Sequence, residues 1–172
     1  MLSDQQQWHE EYDVVVIGSG FAGLAAAIEA KQAGSSVIVL EKMPIPGGNS
    51  AISGGLLAVA GSPLQESESI NDTPELMFAD MMKAGMGINH PALARIVCEG
   101  SLETLRWTLS LGVEYKKNIN HLGGHSVPRT YNTACGTGSG IVQPLLTKCR
   151  EIGIPIQLKT KFRHFIQGED RR

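Results

Sequence analysis

Gly18-Ser19-Gly20-Phe21-Ala22-Gly23 sets three glycines at the spacing Gly-x-Gly-x-x-Gly, and Glu41 ends the apolar run that follows. Residues of these types at this spacing suit the capture of a dinucleotide. Gly18 allows a tight turn, Gly20 lets the backbone approach a pyrophosphate, and Gly23 lets a helix pack against a sheet. A helix starting here would turn unpaired N–H groups and a partial positive charge towards the phosphates. Glu41 would accept hydrogen bonds from ribose hydroxyls, and it stands eighteen positions after Gly23, close to the ~20 expected. Glycine is common, so the bland alternatives are a glycine-rich turn with no ligand and an ordinary solvated acid at a strand end.

The segment after Glu41 discriminates between dinucleotides. Lys42-Met43-Pro44 leads into Gly47-Gly48-Asn49-Ser50 and then Ser53-Gly54-Gly55. A nicotinamide-dinucleotide domain would proceed to a crossover helix at this point. A second loop of close-approach glycines suggests a longer cofactor, with backbone amides reaching past the pyrophosphate towards an isoalloxazine ring. The expected cofactor is therefore FAD, with an NAD(P)-dependent dehydrogenase as the lesser alternative.

Other residue types offer less. His125 and Arg129 share a glycine-flanked loop, and the planar guanidinium fork suits a carboxylate substrate; the competing reading is that both are structural. His9, His90, His121 and His164 form no constellation and are expected at the surface. Cys98, Cys135 and Cys149 are widely spaced and odd in number, which suggests neither a disulfide framework nor a zinc site. All three are expected to be buried small hydrophobes, and no metal site is expected.

The elements that must position these residues follow from periodicity. Residues 13–17 form an apolar β-branched run, expected to be a parallel strand buried on both faces. A helix should span 22–33, with Gly34 as its left-handed terminator, followed by a buried strand over 37–40. Strand, helix and strand within about thirty residues make a right-handed βαβ unit. Residues 43–61 read as loop and 62–72 as a mobile polar connection. Thr73-Pro74-Glu75 starts a helix carrying Phe78, Met82 and Met86. Another helix runs from His90-Pro91 towards Leu111, interrupted at Gly100, with Leu93, Ile96, Val97, Leu105 and Leu109 as its core stripe. Residues 112–115 suggest a short strand, 121–140 a loop, 141–152 a helix despite Pro144, and 154–167 strands.

Composition excludes several partners. A net charge of -2 and only 15 Lys and Arg against 17 Asp and Glu give no field for nucleic acid or an anionic membrane. No run reaches the ~18 apolar residues of a membrane span. The first eleven residues are polar, with no secretory signal pattern.

Together these segments resemble the FAD-binding domain of the fumarate reductase and succinate dehydrogenase flavoprotein family, in particular its soluble flavocytochrome c-like branch. The resemblance rests on Val15-Val16-Ile17 before the fingerprint, Glu41-Lys42, Gly47-Gly48-Asn49-Ser50, Gly54-Gly55, and Trp107-x-x-x-Leu111-Gly112-Val113. It continues through Gly123-Gly124-His125-Ser126-x-x-Arg129, Gly138-x-Gly140 and Thr160-Lys161-Phe162.

The fold it implies is α/β: a Rossmann-like domain with a central parallel sheet, a helical insertion and a β-meander, truncated. On this reading residues 1–11 are a disordered lead-in, 12–168 the N-terminal portion of the domain, and 169–172 a cut hairpin. The resemblance further implies that Gly18, Gly20, Ala22 and Gly23 face the pyrophosphate. Glu41 would hold the adenosine ribose, with Lys42 flanking it. Gly48, Asn49 and Ser50 would lie beside the inner phosphate and ribitol, Gly54 and Gly55 near the flavin ring, and Phe162 where backbone pairs with the adenine edge.

Two departures stand out. Fumarate-acting members often carry His-Arg-Pro-Thr where this chain has Tyr131-Asn132-Thr133-Ala134, and the covalently flavinylated branch has a histidine in the Asn49-Ser50 loop. FAD is thus expected to be held noncovalently. The implied reaction is hydride transfer to the C=C bond of an α,β-unsaturated carboxylate such as fumarate, fed by a separate electron-donor domain or protein. In that family the proton-donating arginine and the substrate clamp come from a capping domain and a returning segment, both expected to lie beyond Arg172, so a catalytically inert flavoprotein fragment is the alternative. A cytoplasmic location is expected, a periplasmic parent with its leader removed being the other option.

Overall fold

The computed structural model describes residues 10–166, in two compact units: residues up to Gly48 together with those from Leu146 onward, and Asn49–Leu145. The expectations for 1–9 and 167–172, including His9 and the cut hairpin, lie outside the described residues.

The first unit is the βαβ unit. β1 (Val14–Ile17) pairs in parallel with β2 (Val37–Leu40), Val14 opposite Val37 and Ile17 opposite Leu40. The crossover between them is α1 (Phe21–Gln32), which packs Leu24, Ala27 and Ile28 inward and ends before Gly34 at φ +95°. β1 corrects the expectation of a strand buried on both faces. Val16 is buried, but Val15 and Ile17 are about half exposed, at 49% and 50%. Side chains alternate along a strand, α1 covers only one face, and β1 lies at the edge of the β1-β2-β6 sheet among the described residues. The central strand β2 has Val37, Ile38 and Val39 all buried. β6 is only Ile156–Gln157, so among the described residues the strands expected over 154–167 shrink to two residues; Lys159 at φ +55° turns the chain out of the ladder.

In the second unit, the expected loop over 43–61 contains α2 (Gly48–Ile52, beginning one residue before the boundary) and β3 (Leu56–Ala58). Instead of a mobile connection, residues 62–72 hold α3 (Pro63–Ser67). A reciprocal capping box forms there: Gln65 N donates to the Ser62 hydroxyl and the Ser62 N–H donates to the Gln65 carboxamide. Polarity was misleading because two polar side chains satisfy orphan helix-end groups as a capping box does.

α4 (Pro74–Ala84) starts at Thr73, whose hydroxyl accepts from Leu76 N. Its buried face is Met77 and Asp80; Met86 lies beyond the helix and is exposed. α5 (Pro91–Glu99) and α6 (Ser101–Ser110) are separated at Gly100 as expected. Their buried residues include Ala94, Cys98 and Leu105, whereas Leu93, Ile96, Val97 and Leu109 of the expected core stripe are exposed. The small Ala94 and Cys98 permit α5 to lie close against α4, so the larger residues fall on the other side.

β4 (Tyr115–Asn120) and β5 (Thr130–Thr133), the latter inside a predicted loop, join β3 in an antiparallel sheet of order β3-β5-β4. Val59, Leu105 and Tyr131 form a core beside it, with the Tyr115 and Tyr131 rings meeting edge to face. α7 (Ser139–Glu151) follows, with Pro144 inside it.

Candidate cofactor site

Within the first unit the fingerprint forms the turn from β1 into α1. Gly23 is dictated by packing: a Cβ there would run into the Gly18 carbonyl and lie 3.3 Å from Val16 Cγ1. The glycine thus lets α1 start directly against the turn. Gly20 is the N-cap of α1 and, as a glycine, brings no capping side chain of its own. Ala22 is exposed in the first turn. A helix start beside two glycines is suited to phosphate oxygens.

Glu41, immediately after β2, is buried at 5% exposure. Its Oε2 accepts from Ser19 N at 3.0 Å and from the Ser19 hydroxyl, and its Oε1 accepts from Met43 N at 2.8 Å. Burial alone would raise its pKa; the hydrogen bonds from Ser19 and Met43 outweigh that and hold it below the usual carboxylate value. A carboxylate offers about four acceptor directions, so three of these are used and Oε1 keeps one for a further donor. FAD therefore fits these residues: a glycine-flanked helix start suited to phosphate lies in the same unit as a charged acceptor suited to a hydroxyl. Lys42 beside it is exposed. Thr160 N donates to Glu41 O and Lys159 N to Met43 O, which ties the segment leading to Phe162 alongside 41–43.

In the second unit, the loop that follows Asn49 packs on the turn before α7. Gly138 N donates to Ser53 O at 2.8 Å, and Thr133 N to Gly55 O at 3.0 Å. Gly55 sits at φ +62°, and a Cβ there would overlap Thr137 O and the Thr133 hydroxyl. Its small size thus serves contact between two stretches of this chain. Gly48, Asn49 and Gly54 are exposed. Asn132 Oδ1 on the neighbouring strand is buried without a protein hydrogen-bond partner.

His125 and Arg129 do come together, Arg129 Nη1 and His125 Nδ1 lying 3.2 Å apart. Arg129 is fully buried. Its Nε and Nη2 donate to the two Asp72 oxygens at 2.9 and 2.8 Å, and its Nη1 forms an ion pair with Asp80 Oδ2 at 2.9 Å. Asp80 also accepts from Ser126 N and the Ser126 hydroxyl. This arginine is committed to two internal carboxylates. Sequence reasoning missed both partners, although an acid at Asp80, on the apolar face with Met77, was a usable signal, because buried acids require partners.

Cys135 departs from the expectation that all three thiols are buried. Cys98 and Cys149 are, but Cys135 is exposed in the turn between β5 and α7. Hydrogen bonding with the Thr137 side chain, then with its backbone and Thr133, lowers its pKa to about 6. Iodoacetamide at neutral pH should therefore label Cys135 well ahead of the other two, with a rate that falls below about pH 6, because the thiolate is the nucleophile. Equal labelling of the three cysteines under native conditions, read by peptide mass spectrometry, would contradict this. Among the described residues there is no cluster of metal-ligating side chains, and no helix is long and apolar enough to cross a membrane.

Comparison with known proteins points the same way. Residues 13–172 match the family described as FAD binding domain. The acrylate reductase flavoprotein subunit of Shewanella woodyi is 49% identical over 164 residues, covering 95% of this chain and 32% of that protein. A fumarate reductase (cytochrome) of Shewanella frigidimarina is 37% identical over 155 residues, covering 89% of this chain and 27% of that protein. The solved open conformation of a flavocytochrome c3 fumarate reductase superposes with a TM-score of 0.88 at 34% identity, over 94% of this chain and 29% of that one. The chain thus spans about a quarter to a third of the length of these two relatives.

Proposed function

The chain belongs to the FAD-binding-domain family, as found in fumarate and acrylate reductase flavoproteins, and from this premise we propose that it is the cofactor-holding portion of a flavin-dependent reductase of unsaturated carboxylates. The observation that carries the reading is Glu41, kept as a charged acceptor at the end of β2 in the unit that also holds the glycine turn into α1. When bound, FAD supplies the hydride chemistry of the whole protein; the redox step belongs to the cofactor.

The roles assigned to this chain are binding and orientation. Gly18, Gly20, Ala22 and Gly23 present backbone to the pyrophosphate, Glu41 accepts from the ribose diol, and Lys42 flanks it. Gly48, Asn49, Ser50, Gly54 and Gly55 take the flavin half and Phe162 the adenine side. No covalent flavin link is assigned, because the Asn49-Ser50 loop has no histidine. The proton donor and substrate clamp are assigned to parts of the parent protein other than this chain, as is the electron donor. His125 and Arg129 are assigned to structure, since the guanidinium is fully buried on Asp72 and Asp80. The names of the two relatives favour a small unsaturated acid, acrylate or fumarate, and the absence of the His-Arg-Pro-Thr segment argues against fumarate itself.

Titration of the purified chain with FAD, followed by flavin absorbance retained after desalting, tests this reading. Flavin should remain bound to the unaltered chain. Glu41→Ala should weaken binding by about 1.5–3 kcal/mol, the worth of hydrogen bonds to a charged group, or roughly ten- to a hundredfold. An unchanged dissociation constant would remove Glu41 from the ribose.

A further inference from the structure

Ser19 is one of the variable positions of the fingerprint, for which the glycine motif itself requires no side chain. Yet it is fully buried, and its hydroxyl is engaged on both sides. Gly47 N donates to Ser19 Oγ at 2.9 Å, while Ser19 Oγ donates to Glu41 Oε2 at 2.5 Å. A hydroxyl carries a single proton. With Gly47 donating to it from one side, that proton is directed at the carboxylate. The Ser19 N–H reaches the same oxygen at 3.0 Å, so Oε2 is fully engaged and the open acceptor direction falls to Oε1.

We propose that Ser19 is a positioning residue for the cofactor's adenosine ribose, acting through Glu41 by fixing which carboxylate oxygen is presented. This rests on the assignment of Glu41 to the ribose. The same hydroxyl ties Gly47, the first residue of the second glycine-rich loop, to the fingerprint turn. The Ser19 hydrogen bonds also oppose the effect of burial on Glu41 and keep it ionised. Hydrogen bonds to a charged group are about twice as strong as neutral ones. Removing the hydroxyl therefore has two consequences: Glu41 is less firmly oriented, and it takes up a proton at higher pH.

The test is FAD affinity, read by flavin fluorescence across the acid range, for the full chain and for Ser19→Ala, Glu41→Ala and the double variant. Ser19→Ala should weaken FAD binding about three- to tenfold. Its acid-side loss of affinity should begin at higher pH than in the unaltered chain. In the Glu41→Ala background the Ser19 substitution should add little, because neighbours in one network are not additive. Ser19→Cys, which keeps a small weak donor, should fall between serine and alanine. Additive losses, or an acid limb that does not move, would overturn the positioning role and leave Ser19 as a packing residue. If Glu41→Ala itself leaves affinity intact, the ribose assignment fails first. If Glu41→Ala weakens binding and Ser19→Ala does not, only the role of Ser19 falls.

Discussion

Replacing Arg129 with methionine should destabilise the chain by about 3–5 kcal/mol, the usual cost of removing one partner from a buried ion pair. The magnitude follows from what is left behind. Asp72 and Asp80 would each keep a carboxylate in a site where Arg129 and Asp72 side chains have no solvent exposure. Gln65 and Ser126 donate to these carboxylates but carry no charge. Methionine fills the volume of the stem, so the loss reports the unpaired acids more than a cavity. Arg129→Lys should fall between, because a compact ammonium cannot form the fork that spans Asp72 while also reaching Asp80.

The cluster also makes stability depend on pH. Burial, then the charge of Arg129, lowers the pKa of His125 below the ordinary histidine value of 6.5. A folded state that binds the proton less readily than the unfolded one is most stable above the unfolded value, and loses that contribution as pH falls below about 6.5. Asp80 is also shifted down: burial would raise it, but Ser126 and Arg129 prevail. Its contribution is present above the unfolded carboxylate value and disappears as pH falls through the lower folded value. Urea unfolding at pH 7.5, 5.5 and 3.5 should show both steps in the unaltered chain. In Arg129→Met the deficit should shrink at the lowest pH, where the stranded carboxylates take up protons. A cost under about 1 kcal/mol at pH 7.5 would place Arg129 among ordinary surface pairs and refute the cluster's importance.

Gly23→Ala carries the second large effect, in the direction opposite to helix propensity. Alanine within a helix is favoured over glycine by about 0.8–1.0 kcal/mol. Here the new Cβ would collide with the Gly18 carbonyl and press Val16 Cγ1. The obstruction is backbone, so no rotamer relieves it; α1 must lift from the turn or the turn must open. Overpacking of this kind costs about 1–3 kcal/mol, which outweighs the propensity gain. The displaced groups are the first-turn amides proposed above to face the pyrophosphate, so on that proposal FAD affinity should fall more than stability does, by about a hundredfold. Circular dichroism should show the helices retained while flavin no longer stays with the protein. Normal FAD affinity in Gly23→Ala would mean that the helix start does not need to lie on Gly18.

Much of the first unit was legible along the chain because its determinants are local. An apolar run, three glycines at set spacing, an alanine-rich helix and an acid after the next strand fall within thirty residues, and β1, α1 and β2 formed where expected. The break at Gly100 and the start at Thr73-Pro74 were legible for the same reason, since caps and breakers act within one turn. The expected loops were less informative. β3 lies within a glycine- and polar-rich stretch whose pairing partner, β5, is more than seventy residues away, and β5 becomes a strand by pairing with both β3 and β4.

The sequence by itself therefore determined the dinucleotide fingerprint, its strand–helix–strand frame and the acid that closes it, because each depends on residues adjacent along the chain. Only the tertiary structure decided that Arg129 faces Asp72 and Asp80, that Ser19 and not solvent holds Glu41, that Cys135 alone of the thiols is exposed, and that Leu93, Ile96 and Val97 point outward. Burial and charge pairing depend on which distant segments meet, and a buried charge takes whatever partner the fold brings within hydrogen-bonding distance.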